Sequence, residues 1–252
     1  MISEADAHTE QPTLEGRKAI ITGGTTGIGR AIAILLASYG VDVFICGRTP
    51  EHLEDALQRI NQVGRGDGIA IDLGDPDNVR RFFDAANAYL GGLDIAVINA
   101  AFAAEGLSDT SEDKLRYAIA TDFTAYLLSA HAAADILGDH GDIVFIGSMS
   151  AHVLGPSSTI YAGIKYGIQG FSEALRKELG PKGIRVSNVE PGKTGSDMQS
   201  PDIPPEEQRA MIGRDEMLRA EDIAVGVHFV LTQPRRAIVQ QLTIAPRMQD
   251  SE

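Results

Sequence analysis

A tyrosine and a lysine four positions apart, Tyr161 and Lys165, are the residues of this sequence whose types and spacing best suit proton transfer. At that spacing in a helix, two side chains lie on the same face. A free phenol has a pKa of ~10 and exchanges protons poorly at neutral pH. A neighbouring ammonium stabilises the phenolate and lowers the pKa toward the range in which acid–base catalysis operates. The pair therefore predicts that Tyr161 is a general acid or base.

A hydroxyl group lies thirteen residues before Tyr161, at Ser148, just after the apolar run of residues 143–146. Such a run predicts a buried strand. In open α/β sheets, ligands bind beside the carboxyl ends of the strands. We therefore expect the Ser148 hydroxyl to lie where a substrate binds.

A glycine-rich turn occupies residues 23–29, between the first apolar run and the first segment of helical length. Its glycines allow a tight turn and let backbone N–H groups approach a pyrophosphate, and the amino terminus of the helix adds a favourable partial charge. No Gly-Lys-Ser/Thr follows, so hydrolysis of a nucleoside triphosphate is not predicted. At this position in an alternating αβ pattern, the turn indicates a dinucleotide site.

The residue that distinguishes the two nicotinamide dinucleotides is expected at the end of the second strand, about 20 residues after the glycines. An acidic side chain there binds the ribose 2′-hydroxyl of NAD, whereas an arginine accommodates the 2′-phosphate of NADP. This chain has Gly47 and Arg48 at that point and no carboxylate before Glu51. A guanidinium binds phosphate through charge-assisted hydrogen bonds. NADP(H) is therefore predicted over NAD(H), with a helix-capping role for Arg48 as the alternative.

Short apolar runs, which alternate with longer amphipathic segments, are the elements that would position these residues. The runs span residues 19–22, 41–46, 68–71, 95–99, 143–146, 184–189 and 238–244. The segments of helical length span residues 28–39, 51–62, 77–90, 111–137 and 158–179. Alternating strands and helices indicate βαβ units and a parallel sheet. The predicted fold is α/β, a three-layer Rossmann-type doubly wound parallel sheet of about seven strands with helices on both faces.

One domain is predicted, because neither a repeat nor a linker divides the chain. Residues 1–16 are polar, lack hydrophobic periodicity and are expected to form a disordered arm. Residues 17–252 then form a single Rossmann-type catalytic domain. Residues 192–213 contain three prolines and little apolar periodicity, and so long a connection is uncommon unless it is functional. We expect a mobile lid over the ligand there, with a surface excursion as the alternative.

Composition and charge exclude several classes of function. A formal net charge of -13 without a basic stripe argues against nucleic-acid binding. The single cysteine, Cys46, permits no intrachain disulfide, and the histidines show no spacing typical of metal ligands, so no metal is predicted. The polar amino terminus lacks the pattern of a signal peptide, and no window approaches the ~20 apolar residues of a membrane helix. We expect a cytoplasmic protein that contacts no membrane.

The glycine-rich turn resembles that of the short-chain dehydrogenase/reductase family. Residues 22–29, TGGTTGIG, are similar to its T-G-x-x-x-G-x-G motif, which lines the cofactor's adenosine and pyrophosphate. Residues 72–73 match the family's Asp near the adenine, and residues 99–100 resemble the second half of N-N-A-G, although Ile98 and Ala101 depart from it. The resemblance extends over residues 18–246. Together with the arginine after the second strand, it predicts cofactor contacts from Gly23, Thr25, Thr26, Gly27, Ile28, Arg48, Asp72, Leu73, Asn99, Tyr161, Lys165, Pro191, Gly192 and Ser196.

The reacting residues resemble the catalytic triad of the same family in order and spacing. By that resemblance, Ser148 holds the substrate oxygen and Tyr161 passes a proton to or from it. Lys165 lowers the pKa of the tyrosine and bonds the nicotinamide ribose. Residues 191–196 resemble the family's P-G-x-x-x-T element, with serine in place of threonine, and Asp122 aligns with the asparagine of its proton relay. Our hypothesis is that Asp122 is a modified member of this relay.

The resemblance implies reversible hydride transfer between NADP(H) and a small-molecule carbonyl/alcohol pair, such as a small keto or hydroxy acid or a ketoacyl compound. Asp122 and the altered surroundings of Asn99 leave open a sensor or regulator that binds NADP(H) with reduced turnover, although retention of the triad speaks against it. An isomerase or dehydratase of the same fold is a third interpretation. The family also implies a homo-oligomer, a tetramer or a dimer, through helices whose alanine-rich faces span residues 118–134 and 162–174.

Overall fold

The computed structural model describes residues 11–104, 106–155, 158–195 and 203–249. Its strands are Lys18–Ile21 (β1), Asp42–Gly47 (β2), Arg65–Ala70 (β3), Leu93–Ile98 (β4), Leu137–Ile146 (β5), Arg185–Pro191 (β6) and Gln241–Ile244 (β7). They form one parallel sheet in the order β3-β2-β1-β4-β5-β6-β7. The predicted doubly wound sheet of seven strands is therefore confirmed.

Helices cover both faces of the sheet. The α-helices of the described ranges are Gly27–Ser38 (α1), Pro50–Asn61 (α2), Pro76–Leu90 (α3), Glu112–Ile119 (α4), Ala125–Ile136 (α5), Thr159–Leu179 (α6), Pro205–Gly213 (α7) and Ala220–Leu231 (α8). On β1, Ile20 packs into a core formed with α3, α5 and α6, whereas Ile21 packs into a second core formed with α1, α2 and α8. Burial on both faces explains why the strands appear in the sequence as continuous apolar runs.

The crevice between β1 and β4 is the point at which the strand order reverses. From β1 the chain proceeds outward to β2 and β3, and it then returns to place β4 on the other side of β1. Connections that follow these two strands diverge and leave a crevice at their carboxyl ends. The glycine-rich turn follows β1 and Asn99 follows β4, and both line this crevice.

The segment 111–137, which the sequence predicts as one continuous helix, is interrupted, so that prediction is wrong in this respect. A π turn, Ala120–Thr124, separates α4 from α5. Within it, the Asp122 carboxylate accepts a 2.6 Å hydrogen bond from the Phe102 N–H. Single π turns inside helices occur frequently at functional sites. Helical periodicity does not encode this contact with a loop distant in sequence.

Three strands begin three or more residues from the predicted position. β3 begins at Arg65 instead of residue 68, β5 at Leu137 instead of residue 143, and β7 at Gln241 instead of residue 238. The residues added to β3 and β5 include exposed polar ones such as Arg65, Asp67 and Asp139, which an apolar pattern does not detect. The difference leaves the order of the elements unchanged.

The predicted amino-terminal arm falls only partly within the described chain, because residues 1–10 lie outside it. Leu14 is buried in the core beside α1, and the Gly16 N–H donates a 2.9 Å hydrogen bond to the Gly40 carbonyl. The packed chain therefore begins shortly before residue 17, while the division into one arm and one domain stays a prediction. None of the helices in the described ranges combines the length and apolar character that crossing a membrane requires.

Candidate active site

The turn after β1 keeps its shape because glycine occupies positions where a side chain would collide. Gly23 has a φ of +65°, and a Cβ there would lie 2.8 Å from the Ala100 Cα. A Cβ on Gly29 would collide with the Gly23 carbonyl. The Asn99 amide Nδ2 donates to the carbonyl oxygens of Thr22, at 3.1 Å, and Gly23, at 3.2 Å. Asn99 therefore supports the turn directly from the neighbouring strand.

The amino terminus of α1 opens onto the crevice without a side-chain cap. Thr26 precedes the helix, but its side chain makes no capping hydrogen bond, and the first helical turn carries no acidic residue. The first N–H groups of a helix have no partners within the helix, and the helix dipole favours an anion beside them. Thr25, Gly27 and Ile28 line the crevice at this point. This donor set fits the pyrophosphate of a dinucleotide.

A chain of hydrogen bonds links the ends of β2 and β3 at the mouth of the crevice. The exposed Arg48 guanidinium donates to the Tyr117 hydroxyl at 2.9 Å, and that hydroxyl donates to the Asp72 carboxylate at 2.9 Å. Burial and the hydrogen bond to Asp72 raise the pKa of Tyr117 above its ordinary value. Asp72 also accepts a hydrogen bond from the Gly74 N–H at 2.9 Å. Arg48 is thus oriented by Tyr117 and keeps further donors for an anion.

Most of the predicted site residues meet in this one crevice. Those that line it are Gly23, Thr25, Thr26, Gly27, Ile28, Arg48, Asp72, Leu73, Asn99, Ser148, Tyr161, Lys165 and Pro191. Gly192 lines an adjoining cavity, and Asp122 is buried behind the crevice wall. Ser196 lies outside the described residues.

At the far end of the crevice, the Ser148 hydroxyl lies beside the half-buried Tyr161 and lowers the pKa of its phenol. The Ser148 hydroxyl follows β5 and also accepts a 3.1 Å hydrogen bond from the Ser150 N–H. Tyr161 belongs to the first turn of α6. Two hydroxyl groups from separate elements therefore converge on one point of the crevice.

The Lys165 ammonium is almost completely buried, with 2% of the residue exposed. It donates hydrogen bonds to the Tyr126 hydroxyl, at 3.1 Å, and to the Ile146 carbonyl, at 3.0 Å. Its Nζ lies 5.5 Å from the centroid of the Tyr161 ring. Burial lowers the pKa of Lys165 to about 8, while the negative charge of Asp122 acts in the opposite direction.

The pKa of Tyr161 differs from the sequence-based expectation, in which Lys165 lowers that pKa. Burial and the Asp122 carboxylate raise the pKa of Tyr161, and the hydrogen bond from Ser148 opposes them. Lys165 instead directs hydrogen bonds to Tyr126 and to the strand. The phenol is therefore held in its protonated form at neutral pH.

Asp122 has one oxygen bound and one without a partner in the described chain. Its Oδ1 accepts the hydrogen bond from Phe102, whereas the buried Oδ2 has no hydrogen-bond partner there. Burial raises the pKa of Asp122 to about 7, opposed by the charge of Lys165 and by the Phe102 amide. A buried polar atom of this kind usually binds a water molecule or a ligand group.

A second cavity adjoins the first and shares Ser148 and Pro191 with it. Three methionines, Met149, Met211 and Met248, contribute to its lining. Charged groups at its wall are Lys193, which is half-buried, and Glu216. This cavity therefore lies directly beside the predicted reacting residue Ser148.

The predicted lid borders this second cavity. Residues 196–202 of the segment lie outside the described chain, whereas α7 forms much of the remainder. Thr194 pairs with Leu218 in an isolated parallel bridge, and the Gly192 N–H donates to the Ile244 carbonyl at 2.7 Å. Movement of the segment stays a prediction.

Several residues that line or support the crevice were not identified from the sequence. Thr49, His52, Phe102 and Tyr117 line it, and Tyr126 contacts Lys165 from behind. Thr49 and His52 directly follow Arg48 in the chain, so proximity to the arginine was an available signal. Nothing in the local pattern indicates the aromatic residues, because Phe102 lies in the loop after β4 and α4 and α5 bring Tyr117 and Tyr126 to the site from elsewhere in the chain.

A model of the family described as short chain dehydrogenase matches residues 17–207. An uncharacterized oxidoreductase of Staphylococcus aureus (strain USA300) is 29% identical over 240 residues, which cover 92% of this chain and 98% of that protein. An uncharacterized oxidoreductase of Methylorubrum extorquens is 34% identical over 184 residues, 71% of this chain and 73% of that protein.

Solved structures resemble the whole fold. A short chain dehydrogenase from Burkholderia cenocepacia in complex with NADP has a TM-score of 0.84 and 35% identity, covering 93% of this chain and 98% of that one. A short-chain dehydrogenase/reductase from Serratia marcescens has a TM-score of 0.83 and 27% identity, covering 95% of this chain and 100% of that one. The similarity thus extends over both cavities and all the strands that position them.

Proposed function

The chain belongs to the short-chain dehydrogenase family as one of its oxidoreductases, and on that premise we propose that it reduces a small-molecule carbonyl compound with NADPH, or oxidises the corresponding alcohol with NADP. The observation that carries the proposal is the single crevice in which Tyr161 and Ser148 lie at one end and the glycine-rich turn and Arg48 at the other. A dinucleotide spans such a crevice from its phosphates to its reactive ring.

Two groups of donors would hold the cofactor. The uncapped N–H groups of α1 suit the pyrophosphate, and the Arg48 guanidinium, steadied by Tyr117, suits a 2′-phosphate. When bound, NADP(H) supplies or accepts the hydride. The NADP complex of the Burkholderia cenocepacia relative supports this choice over NAD(H).

The proton would come from Tyr161. Its raised pKa keeps the phenol protonated, which is the form that donates to a carbonyl oxygen as that oxygen gains charge. The Ser148 hydroxyl, which lies beside the same phenol, would hold the carbonyl oxygen in place. Lys165 would supply a positive charge beside the phenolate that remains. This arrangement favours the reductive direction.

Asp122 is proposed as a modified member of the proton relay. Its unpartnered Oδ2 is buried beside the Lys165 charge, so it suits a water molecule that passes protons toward Tyr161. Because the pKa of Asp122 is raised to about 7, the carboxyl group exchanges protons near neutral pH.

The substrate is proposed to be a small keto acid or a related ketoacyl compound. The cavity beside Ser148 combines methionine side chains with the Lys193 ammonium. Methionine accommodates apolar chains of varied shape, and an ammonium attracts a carboxylate. A substrate that carries its acid group away from the reacting carbonyl would engage both.

The chain is further proposed to form a homo-oligomer, either a dimer or a tetramer. Ile119 of α4 and Tyr166 of α6 are exposed to 43% and 61%, and these helices adjoin the alanine-rich faces predicted to associate. Sedimentation equilibrium is expected to give a mass at least twice that of the chain, and a monomer would contradict this part. A cytoplasmic location stays a prediction of the sequence.

An assay of NADPH and NADH oxidation over a panel of keto acids, ketoacyl thioesters and neutral ketones tests the function. We expect turnover with NADPH and preference for substrates that carry an acid group. Tight NADPH binding without turnover on any substrate would favour the sensor, and chemical conversion without net NADPH change would favour an isomerase or dehydratase. Either result would overturn the proposal.

A further inference from the structure

Tyr126 of α5 is a completely buried tyrosine whose hydroxyl reaches the reacting end of the crevice from behind. Its ring stacks on Phe145 at a centroid distance of 6.2 Å. Its hydroxyl donates a 3.1 Å hydrogen bond to the Ile146 carbonyl, the last carbonyl of β5. Residue 126 is therefore fixed both by packing and by a bond to the sheet.

Because the Tyr126 hydroxyl donates its proton in this bond, it can interact with Lys165 only as a hydrogen-bond acceptor. A tyrosine hydroxyl has one proton, and here that proton is directed to Ile146. Its lone pairs are then left to accept, and Lys165 Nζ donates to it at 3.1 Å. Tyr126 thus acts on the lysine as an acceptor, which is the partner that an ammonium requires.

The Lys165 ammonium has three N–H donors arranged tetrahedrally. Tyr126 and the Ile146 carbonyl take two of them. Lys165 also lines the crevice, with its Nζ 5.5 Å from the centroid of the Tyr161 ring. With two donors fixed from behind, the third is directed to the crevice side of the nitrogen.

We propose that Tyr126 is a positioning residue, whose hydroxyl keeps the Lys165 ammonium charged and directs its free N–H toward the reacting end of the crevice. The inference rests on the proposed function, in which that ammonium stabilises the Tyr161 phenolate. It concerns a hydroxyl that contacts neither substrate nor cofactor and acts only through Lys165.

The contribution of the Tyr126 hydroxyl can be tested separately from the packing of its ring. A phenylalanine at position 126 would retain the stacking on Phe145 while removing one of two named acceptors from a buried ammonium. Charged and titratable groups that face this pair are Asp122 and the Tyr161 phenol. Neither replaces the lost acceptor by direct contact, so the neutral form of Lys165 becomes more favourable.

Tyr126→Phe tests the proposal, with Tyr89→Phe on α3 as a matched loss of a tyrosine hydroxyl outside both cavities. Side-chain NMR of labelled lysine, with the Lys165 signal identified by its loss in Lys165→Met, follows the ammonium without cofactor or turnover. We expect the Lys165 titration midpoint to fall by about one pH unit in Tyr126→Phe and to stay unchanged in Tyr89→Phe.

Kinetics provide the second readout. In carbonyl reduction, kcat of Tyr126→Phe is expected to fall roughly tenfold to hundredfold, and the alkaline limb of the pH profile is expected to move to lower pH together with the Lys165 midpoint. In the Lys165→Met background the same substitution should leave the residual rate unchanged, because the residue through which it acts is gone.

An unchanged Lys165 midpoint in folded Tyr126→Phe, or an equal loss of rate in the Lys165→Met background, would overturn the role of Tyr126. If Tyr126→Phe does not fold, 3-fluorotyrosine at position 126 weakens the acceptor while retaining the ring, and a smaller fall in the Lys165 midpoint is required. If the wild-type protein reduces no carbonyl, the proposed function fails, while the NMR titration still decides the role of Tyr126.

Discussion

The Lys165 Nζ lies 5.5 Å from the centroid of the Tyr161 ring, which precedes it by one turn of α6. Its hydrogen bonds, however, are donated to the Tyr126 hydroxyl and to the Ile146 carbonyl. These bonds are thus directed away from the phenol, to the strand and to α5. The charge that acts on the phenol is that of Asp122, which raises the pKa of Tyr161 together with burial. The same carboxylate raises the pKa of Lys165, so Asp122 influences the protonation of both groups.

Asp122→Asn removes this negative charge directly. The Asp122 carboxylate raises the pKa of both Tyr161 and Lys165, so its removal lowers both. Reduction requires a protonated phenol and a charged lysine, and the alkaline limb of the pH–rate profile should therefore move to lower pH by about one unit. An asparagine oxygen still accepts from Phe102, which preserves the fold.

Asp135→Asn on the exposed side of α5 is the control for Asp122→Asn, because its side chain is 73% exposed. It should leave the profile unchanged. If Asp122→Asn alters neither the rate nor the apparent pKa, Asp122 has no part in the relay.

Lys165→Met should stabilise the ligand-free protein while leaving only a residual rate of carbonyl reduction. Burial lowers the pKa of Lys165 to about 8, so the native state binds fewer protons than the unfolded state between that pH and the ordinary lysine value of ~10.4. Wild-type stability should therefore rise with pH through this window. At neutral pH, removing the buried charge should raise the free energy of unfolding by roughly 1–3 kcal/mol.

Denaturant unfolding of the apoprotein at several pH values measures this effect. Lys177→Met, which removes a 62% exposed lysine from the same helix, should change stability little. A less stable Lys165→Met at neutral pH would show that the hydrogen bonds of the ammonium outweigh its desolvation.

Much of the architecture could be predicted from the sequence because its signals are local. Continuous apolar runs identify strands buried on both faces, and the glycine-rich turn, Ser148, Tyr161 and Lys165 each follow such a run or share one helix. Parallel strands then bring their carboxyl ends to one edge of the sheet. That geometry is enough to place the two ends of the crevice together.

Contacts between elements distant in sequence could not be predicted. The bond from Lys165 to Tyr126 joins residues 39 positions apart, and the π turn at Asp122 depends on an amide in another loop. His152 similarly binds the completely buried Glu190 at 2.9 Å. These partners are chosen by the packing of α5, α6 and β6, for which no single segment carries a signal.

Arg48→Ala should weaken the binding of NADPH and leave the binding of NADH unchanged. The guanidinium is proposed to bind the 2′-phosphate, and loss of a charge-assisted hydrogen bond of this kind raises a dissociation constant roughly tenfold to hundredfold. Calorimetric titration with each cofactor measures the change, with Arg59→Ala on α2 as the control. An equal rise in the dissociation constants of NADPH and NADH would indicate that Arg48 supports the crevice without binding the 2′-phosphate.

Lys193→Met tests the proposed substrate class. The substitution keeps the length of the side chain and removes its charge from the cavity beside Ser148. The KM for keto acids should rise roughly tenfold, while the KM for neutral ketones of similar size should not change. An equal change for acidic and neutral substrates would exclude recognition of a carboxylate by Lys193.

Tyr161→Phe, measured by both NADPH binding and turnover, tests the central claim most directly. Tyr166→Phe removes a hydroxyl from the exposed side of the same helix and serves as the control. Loss of a general acid should reduce kcat for carbonyl reduction by roughly 10²–10⁴-fold, while the dissociation constant for NADPH stays close to that of the wild type and Tyr166→Phe remains fully active. Carbonyl reduction at the wild-type rate by Tyr161→Phe would contradict the assignment of Tyr161 as the proton donor.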